Sequence, residues 1–163
     1  MPLPSAASSG SLRHELGPTV ESLIRVARIL ERASGELSLS HYRILTMVSA
    51  GDGRASRLAG RLALGKPAIS AAVDSLASRG LLTRSGSEPD RRATQLKITA
   101  RGRAVLTAAE SAMGDTLADL LGHTSDAPST LAALHDLAQA LSRRQSERES
   151  KTPDPLASPG SRR

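Results

Sequence analysis

The chain has 163 residues, 39% of them hydrophobic, which is enough for one domain with its own core. It contains no cysteine, which excludes disulfide-stapled folds, thiolate metal sites and cysteine catalysis, and its only aromatic residue is Tyr42, so aliphatic packing of helices is favoured. The formal net charge of +6 at pH 7 fits either a polyanionic partner or simple solubility.

The two ends of the chain, 1–16 and 146–163, are small, polar and charged without periodicity, and we expect both to be disordered tails. The start lacks the basic and apolar regions of a secretory signal, and no segment approaches the roughly 18 to 20 apolar residues of a membrane span. We therefore expect a cytoplasmic protein without a membrane partner.

A first helix is predicted over 18–34, opened by Gly17-Pro18 and ended by Gly35. Its apolar residues recur with helical spacing, at Val20, Leu23, Ile24, Ala27 and Leu30. A second helix follows to about Gly51, with Ser38 or Ser40 as its N-cap.

Two short helices come next, over 56–63 and 66–79, joined by a tight turn at Leu64-Gly65. Pro67 lies in the first turn of the second one, where proline is tolerated. Two short helices joined in this way predict a helix-turn-helix.

Two strands are predicted after Gly80, over 81–85 and 94–99, with turn-forming residues between them. A hairpin in this position is the wing of a winged helix. Thr99 then caps a long helix that ends at Gly122, and a last helix runs from about 127 to 144.

Basic residues are concentrated in 51–104, which holds 11 basic and 4 acidic residues, whereas the rest of the chain holds 11 and 12. Lysine and arginine that neutralise phosphates release counterions, so a localised basic block indicates nucleic-acid binding.

Five segments together resemble the MarR family of bacterial transcriptional regulators, in the family's order and spacing over about 18–144. They are 39–45 (LSHYRIL), 66–70 (KPAIS), 74–84 (DSLASRGLLTR), 90–92 (DRR) and 96–102 (LKITARG). The resemblance implies a homodimer that binds double-stranded DNA. The expected fold is mainly α with a small β-hairpin wing: a winged helix-turn-helix over 37–99 and a helical dimerisation region over 17–36 and 100–145.

The helix over 66–79 would be the recognition helix, with Ile69, Val73 and Leu76 facing inward. Its expected DNA contacts are Pro67, Ala68, Ser70, Ala71 and Ser75. Many relatives carry arginine or another long polar side chain near Ala71 and Ser75, so direct base readout is expected to be thin. The alternative for these residues is a merely solvated helix face.

The expected phosphate contacts are basic side chains around this helix, and we expect about half of them to touch DNA, the rest being solvated. They are Arg54, Arg57, Arg61, Lys66, Arg84, Arg101 and Arg103. The resemblance also pairs Asp74 with Arg84 at the base of the wing.

At the wing tip, the resemblance places an arginine in the DNA minor groove, here Arg92, with Asp90 bracing the turn. Arg91 in place of Arg92, or a mobile solvated loop, are the alternatives.

We expect no enzyme, cofactor or metal site, because the four histidines are scattered and no catalytic motif is present. The resemblance implies an effector that binds between the dimer helices and the winged unit. Without Phe or Trp, a pocket there can offer only aliphatic walls, Tyr42 and arginines such as Arg25 or Arg43, which suits a small anionic or lipophilic compound. The expected function is a DNA-binding regulator and repressor that recognises a pseudo-palindromic operator. The alternative is a small-molecule-binding protein with weak or architectural, sequence-nonspecific DNA binding.

Overall fold

A computed structural model describes residues 6–62, 64–85 and 95–151. The elements follow the predicted order, and the predicted fold class is confirmed. They are α1 (Ala6–Ala33), α2 (Leu39–Ser49), α3 (Ala55–Leu62), α4 (Lys66–Ser78), β1 (Leu82–Ser85), β2 (Gln95–Ile98), α5 (Ala100–Gly122) and α6 (Ala127–Lys151).

The chain divides into two compact units, Met1–Ala118 and Asp119–Arg163. The first unit contains the helix-turn-helix of α3 and α4 together with both wing strands. The second contains the whole of α6.

The expectation of disordered tails is wrong for 6–16 and for 146–151, which are helical. Helix α1 begins at Ala6, so Pro18 lies inside it. A proline there removes one main-chain hydrogen bond without ending the helix. At the other end, 145–151 consists largely of Gln, Arg, Glu and Lys, which are strong helix formers even where no apolar stripe is present.

The core of the first unit is aliphatic, as the composition predicts. Its largest fully buried side chains come from α2, α3, α4, β1 and the segments that join them: Leu37, Ile44, Leu45, Leu58, Leu76, Leu81 and Leu82. Ser38 is the N-cap of α2, since its hydroxyl accepts a hydrogen bond from the main-chain N–H of His41 at 3.2 Å.

The wing strands β1 and β2 are antiparallel, with Leu82 opposite Ile98 and Arg84 opposite Leu96. The other edge of β2 is also paired: the N–H of Leu96 donates to the carbonyl of Gly53 at 2.7 Å, and Arg54 forms a bridge with Gln95. A Cβ at Gly53 would collide with the Leu96 carbonyl oxygen. The segment ahead of α3 is therefore fixed against the wing, a pairing that the sequence pattern does not predict.

Helix α5 is attached to the base of the wing. The hydroxyl of Thr99 accepts from the N–H of Gly102 at 2.9 Å, which confirms the predicted cap, and donates to the Gly80 carbonyl at 2.7 Å. Because Gly102 has no side chain, α5 can approach the carbonyl of Leu81.

Both terminal helices expose large apolar side chains. On α1 these are Leu16, Val20, Leu23 and Ile24, and on α6 they are Leu131, Leu137 and Leu141. None of the helices in the part of the chain that the structure describes is long and apolar enough to cross a membrane.

Candidate nucleic-acid interface

Helix α4 has one buried face and one exposed face. Ile69, Val73 and Leu76 are 3%, 4% and 0% exposed, as predicted for the inner side of the helix. The opposite side consists of the exposed residues Pro67, Ala68, Ser70, Ala71 and Asp74, with Ser75 partly buried at its edge. Lys66 is the first residue of the helix.

This exposed face is short and consists mostly of small side chains. Serine hydroxyls can donate to or accept from base edges, and alanine methyl groups can contact the methyl group of thymine. Neither gives the two parallel hydrogen bonds that an arginine makes to guanine. The face is thus suited to close approach to a DNA groove more than to strong discrimination between bases.

Asp74 and Arg84 form an ion pair that links α4 to strand β1. The resemblance implied this pair, and the structure contains it. Both side chains remain about half exposed. The guanidinium therefore neutralises the carboxylate on the exposed face of α4, where an unpaired negative charge would repel a phosphate.

Arg57 and Arg61 lie one turn apart on α3 and share one acidic partner, Asp52. Nη1 of Arg57 lies 3.3 Å from Oδ1 of Asp52, and Nη1 of Arg61 pairs with Oδ2. The sequence predicts the two arginines as phosphate contacts but does not predict the carboxylate that joins them. Its position in the Gly51-Asp52-Gly53 turn, directly ahead of two arginines spaced by a helical turn, was the available signal.

Three other predicted phosphate contacts lie directly before α3 and in the first turn of α5. Arg54 is exposed immediately before α3, and Arg101 is exposed in the first turn of α5. The side chain of Arg103 is also exposed, and its Nη1 donates to the carbonyl of Ile98 at 3.3 Å.

The C-terminal end of α4 is tied to the turn between α1 and α2. Nη2 of Arg79 lies 2.8 Å from Oε2 of Glu36. Partial burial lowers the pKa of His41 below its ordinary value, and the positive charge of Arg79 lowers it further. His41 is thus favoured in its neutral form beside this contact.

Known proteins resemble this chain in sequence and in fold. The MarR family model matches residues 36–93, which span α2 to the wing. Over this segment, the winged helix-turn-helix of the chain is similar to the MarR family. Among curated proteins, none matches the chain in sequence.

Solved structures with this MarR fold cover nearly the whole chain. A MarR family transcription regulator has a TM-score of 0.68 at 22% identity, covering 90% of this chain and 97% of its own. The transcriptional repressor CouR, bound to a 23-mer DNA duplex, has a TM-score of 0.67 at 26% identity, covering 86% and 99%. The transcriptional regulator BldR from Sulfolobus solfataricus has a TM-score of 0.61 at 24% identity, covering 85% and 99%.

Asp90, Arg91 and Arg92, expected at the tip of the MarR-type wing, lie outside the described residues. Of the candidate effector contacts, Tyr42 is partly buried against the core, whereas Arg25 and Arg43 are exposed. Within the described ranges, no group of three or more His, Asp or Glu side chains is placed to hold a metal ion.

Proposed function

We propose that the protein is a DNA-binding transcriptional regulator whose helix α4 enters the major groove. The observation that carries the proposal is the division of α4 into a buried face and an exposed face of small side chains, Ser70 and Ala71 among them, which lets the helix backbone approach DNA closely. The arginines of α3 and the Asp74–Arg84 pair add exposed basic side chains on the neighbouring elements α3 and β1. These basic groups are suited to contact phosphates and to set the register of α4.

Homodimerisation is part of the proposal. The exposed leucines, valine and isoleucine of α1 are 45% to 53% exposed, and those of α6 are 38% to 53% exposed, which is costly for aliphatic side chains in water. Covering them with a second copy would place two α4 helices about 34 to 36 Å apart, one turn of DNA, and would match a pseudo-palindromic operator.

The sign of regulation that we propose is repression, because CouR, a structure of similar fold at 26% identity, is a transcriptional repressor bound to DNA. Cytoplasmic action on DNA and release by a small anionic or lipophilic effector complete the proposal.

The test is selection of binding sites from a pool of random duplexes, combined with a mass measurement in solution. We expect enrichment of an inverted repeat and a mass twice the 17.0 kDa of one chain. A monomer at micromolar concentration would contradict the dimer, and an unenriched pool would contradict sequence recognition.

The small exposed face of α4 favours a second candidate, an architectural protein that binds every duplex with similar affinity. Ser70→Glu on α4, compared with Ser111→Glu on the exposed side of α5, tests whether α4 is the contact in either case. We expect Ser70→Glu to weaken DNA binding at least about tenfold through repulsion of phosphate, and Ser111→Glu to change it little. Equal effects of the two substitutions on DNA affinity would show that α4 does not contact DNA.

A further inference from the structure

Asp52 is held in a rigid turn between α2 and α3. Its N–H donates to the carbonyl of Met47 at 2.9 Å, and the N–H of Gly51 donates to the carbonyl of Val48 at 3.1 Å. On the other side, the carbonyl of Gly53 accepts from Leu96 in β2 at 2.7 Å. The backbone that carries the Asp52 carboxylate is therefore fixed to α2 and to the wing together.

The two arginines that reach this carboxylate are less constrained. The side chain of Asp52 is 21% exposed, whereas those of Arg57 and Arg61 are 59% and 46% exposed. Each guanidinium is a planar fork of donors that fits a carboxylate and a phosphate equally well. The cluster has two positive charges and one negative charge, with solvent on its outer side.

We propose that Asp52 is a built-in competitor of DNA phosphate for Arg57 and Arg61. This inference rests on the proposed function, because it takes α3 as part of a DNA-binding surface. In the free protein, the carboxylate occupies donors that a phosphate would otherwise use. In the complex, a phosphate must share or displace it, and the two negative groups repel each other at close range.

The consequence is a lower affinity for every duplex, independent of sequence, since phosphate contacts carry no base information. Nonspecific binding depends almost entirely on such contacts. Asp52 therefore limits nonspecific attachment, and this raises the share of total affinity that base contacts and DNA shape must supply.

The test uses the full chain carrying Asp52→Asn, titrated with a duplex of arbitrary sequence over a range of salt concentrations. We expect about fivefold tighter binding at low salt, the size of one charge interaction at ion-pair distance in water. The plot of log affinity against log salt should steepen by about 0.9, since one more phosphate is neutralised. The matched control is Asp115→Asn, which removes the same charge from an exposed site on α5 and should shift both values much less.

A second comparison separates competition from general charge. In an Arg57→Gln, Arg61→Gln background no arginine donor can be released, so Asp52→Asn should act only by removing repulsion and should leave the salt slope near that of Asp115→Asn. An equal steepening of the salt dependence in both backgrounds, or unchanged or weaker binding by Asp52→Asn alone, would overturn the proposal. These ion pairs are exposed and contribute little to stability, so thermal unfolding should stay near that of the natural chain and confirm that the variants fold.

Elution from heparin distinguishes failure of this inference from failure of the proposed function. If the natural chain bound no duplex, the DNA-binding function would be wrong. The competition would still be tested, because Asp52→Asn should elute from the sulfated polymer at higher salt than Asp115→Asn. Elution of the two variants together would refute the competition by Asp52.

Discussion

Substitution of Gly102 by alanine tests whether α5 packs closely against Leu81 at the base of the wing. A methyl group at this position would lie inside contact distance of the Leu81 carbonyl oxygen, 3.0 Å from the Leu81 carbonyl carbon and 2.9 Å from Cγ1 of Ile98. The Leu81 carbonyl cannot easily move, because it accepts a hydrogen bond from the N–H of Thr99 at 3.1 Å. The strain must therefore be taken by backbone rather than by a flexible side chain.

Two opposing effects set the magnitude. Alanine is favoured over glycine inside a helix by about 1 kcal/mol, whereas overpacking costs about 1 to 3 kcal/mol and occasionally more. Because the collision is with main-chain atoms, we expect it to dominate and Gly102→Ala to lower the free energy of unfolding by about 2 kcal/mol. That loss corresponds to a decrease of roughly 4 to 8 °C in Tm for a chain of this length.

Gly114→Ala provides the matched control within the same helix. No atom lies within 4 Å of a Cβ at Gly114, so only the helix preference acts and stability should rise by about 0.5 to 1 kcal/mol. Urea unfolding followed by circular dichroism measures both variants. If Gly102→Ala matched Gly114→Ala in sign and size, the close packing of α5 against Leu81 would be refuted.

Three further predictions concern charge. Since the lowered pKa of His41 means that the unfolded chain binds more protons, stability should fall as the pH drops through about 6.5, and urea titrations of His41→Gln should show a flatter dependence. Arg84→Ala should weaken duplex binding by leaving the carboxylate of Asp74 unpaired, and adding Asp74→Ala should recover part of the loss; a further loss in the double variant would contradict this. Arg92→Ala should cost about 1 to 3 kcal/mol of binding free energy on a selected operator and relax the preference for A·T steps, whereas unchanged binding would refute the minor-groove role.

The order and type of the elements could be predicted because local signals agree with the fold. Ser38 and Thr99 cap the helices that the sequence assigned to them, and the inner face of α4 is apolar at helical spacing. Helix ends were less predictable. The sequence predicts Pro18 as the start of α1, but Pro18 lies inside the helix, because one missing N–H does not stop a helix whose neighbouring turns remain bonded.

Contacts between distant segments could be predicted only in part. The resemblance of the 74–84 segment to MarR proteins implies the pair of Asp74 and Arg84, which the structure contains. The pairing of Gly53 with Leu96 joins residues 43 positions apart along the chain and depends on a close backbone approach that composition does not reveal. The same holds for Asp52, whose partners are determined by where the turn places its carboxylate.

These ion pairs change what the charge of the basic block means. A count over 51–104 treats every arginine as available to DNA, yet both acidic residues in the described part of that block, Asp52 and Asp74, are paired with arginine. Pairing removes the repulsion that each carboxylate would exert on phosphate, and it also occupies arginine donors. The affinity for arbitrary DNA should therefore be lower than the number of basic residues suggests. The exposed face of α4 around Ser70 and Ala71 is small, so direct base contacts there are weak. A low affinity for arbitrary DNA is then useful, because weak base readout can select a site only where nonspecific binding is weaker still.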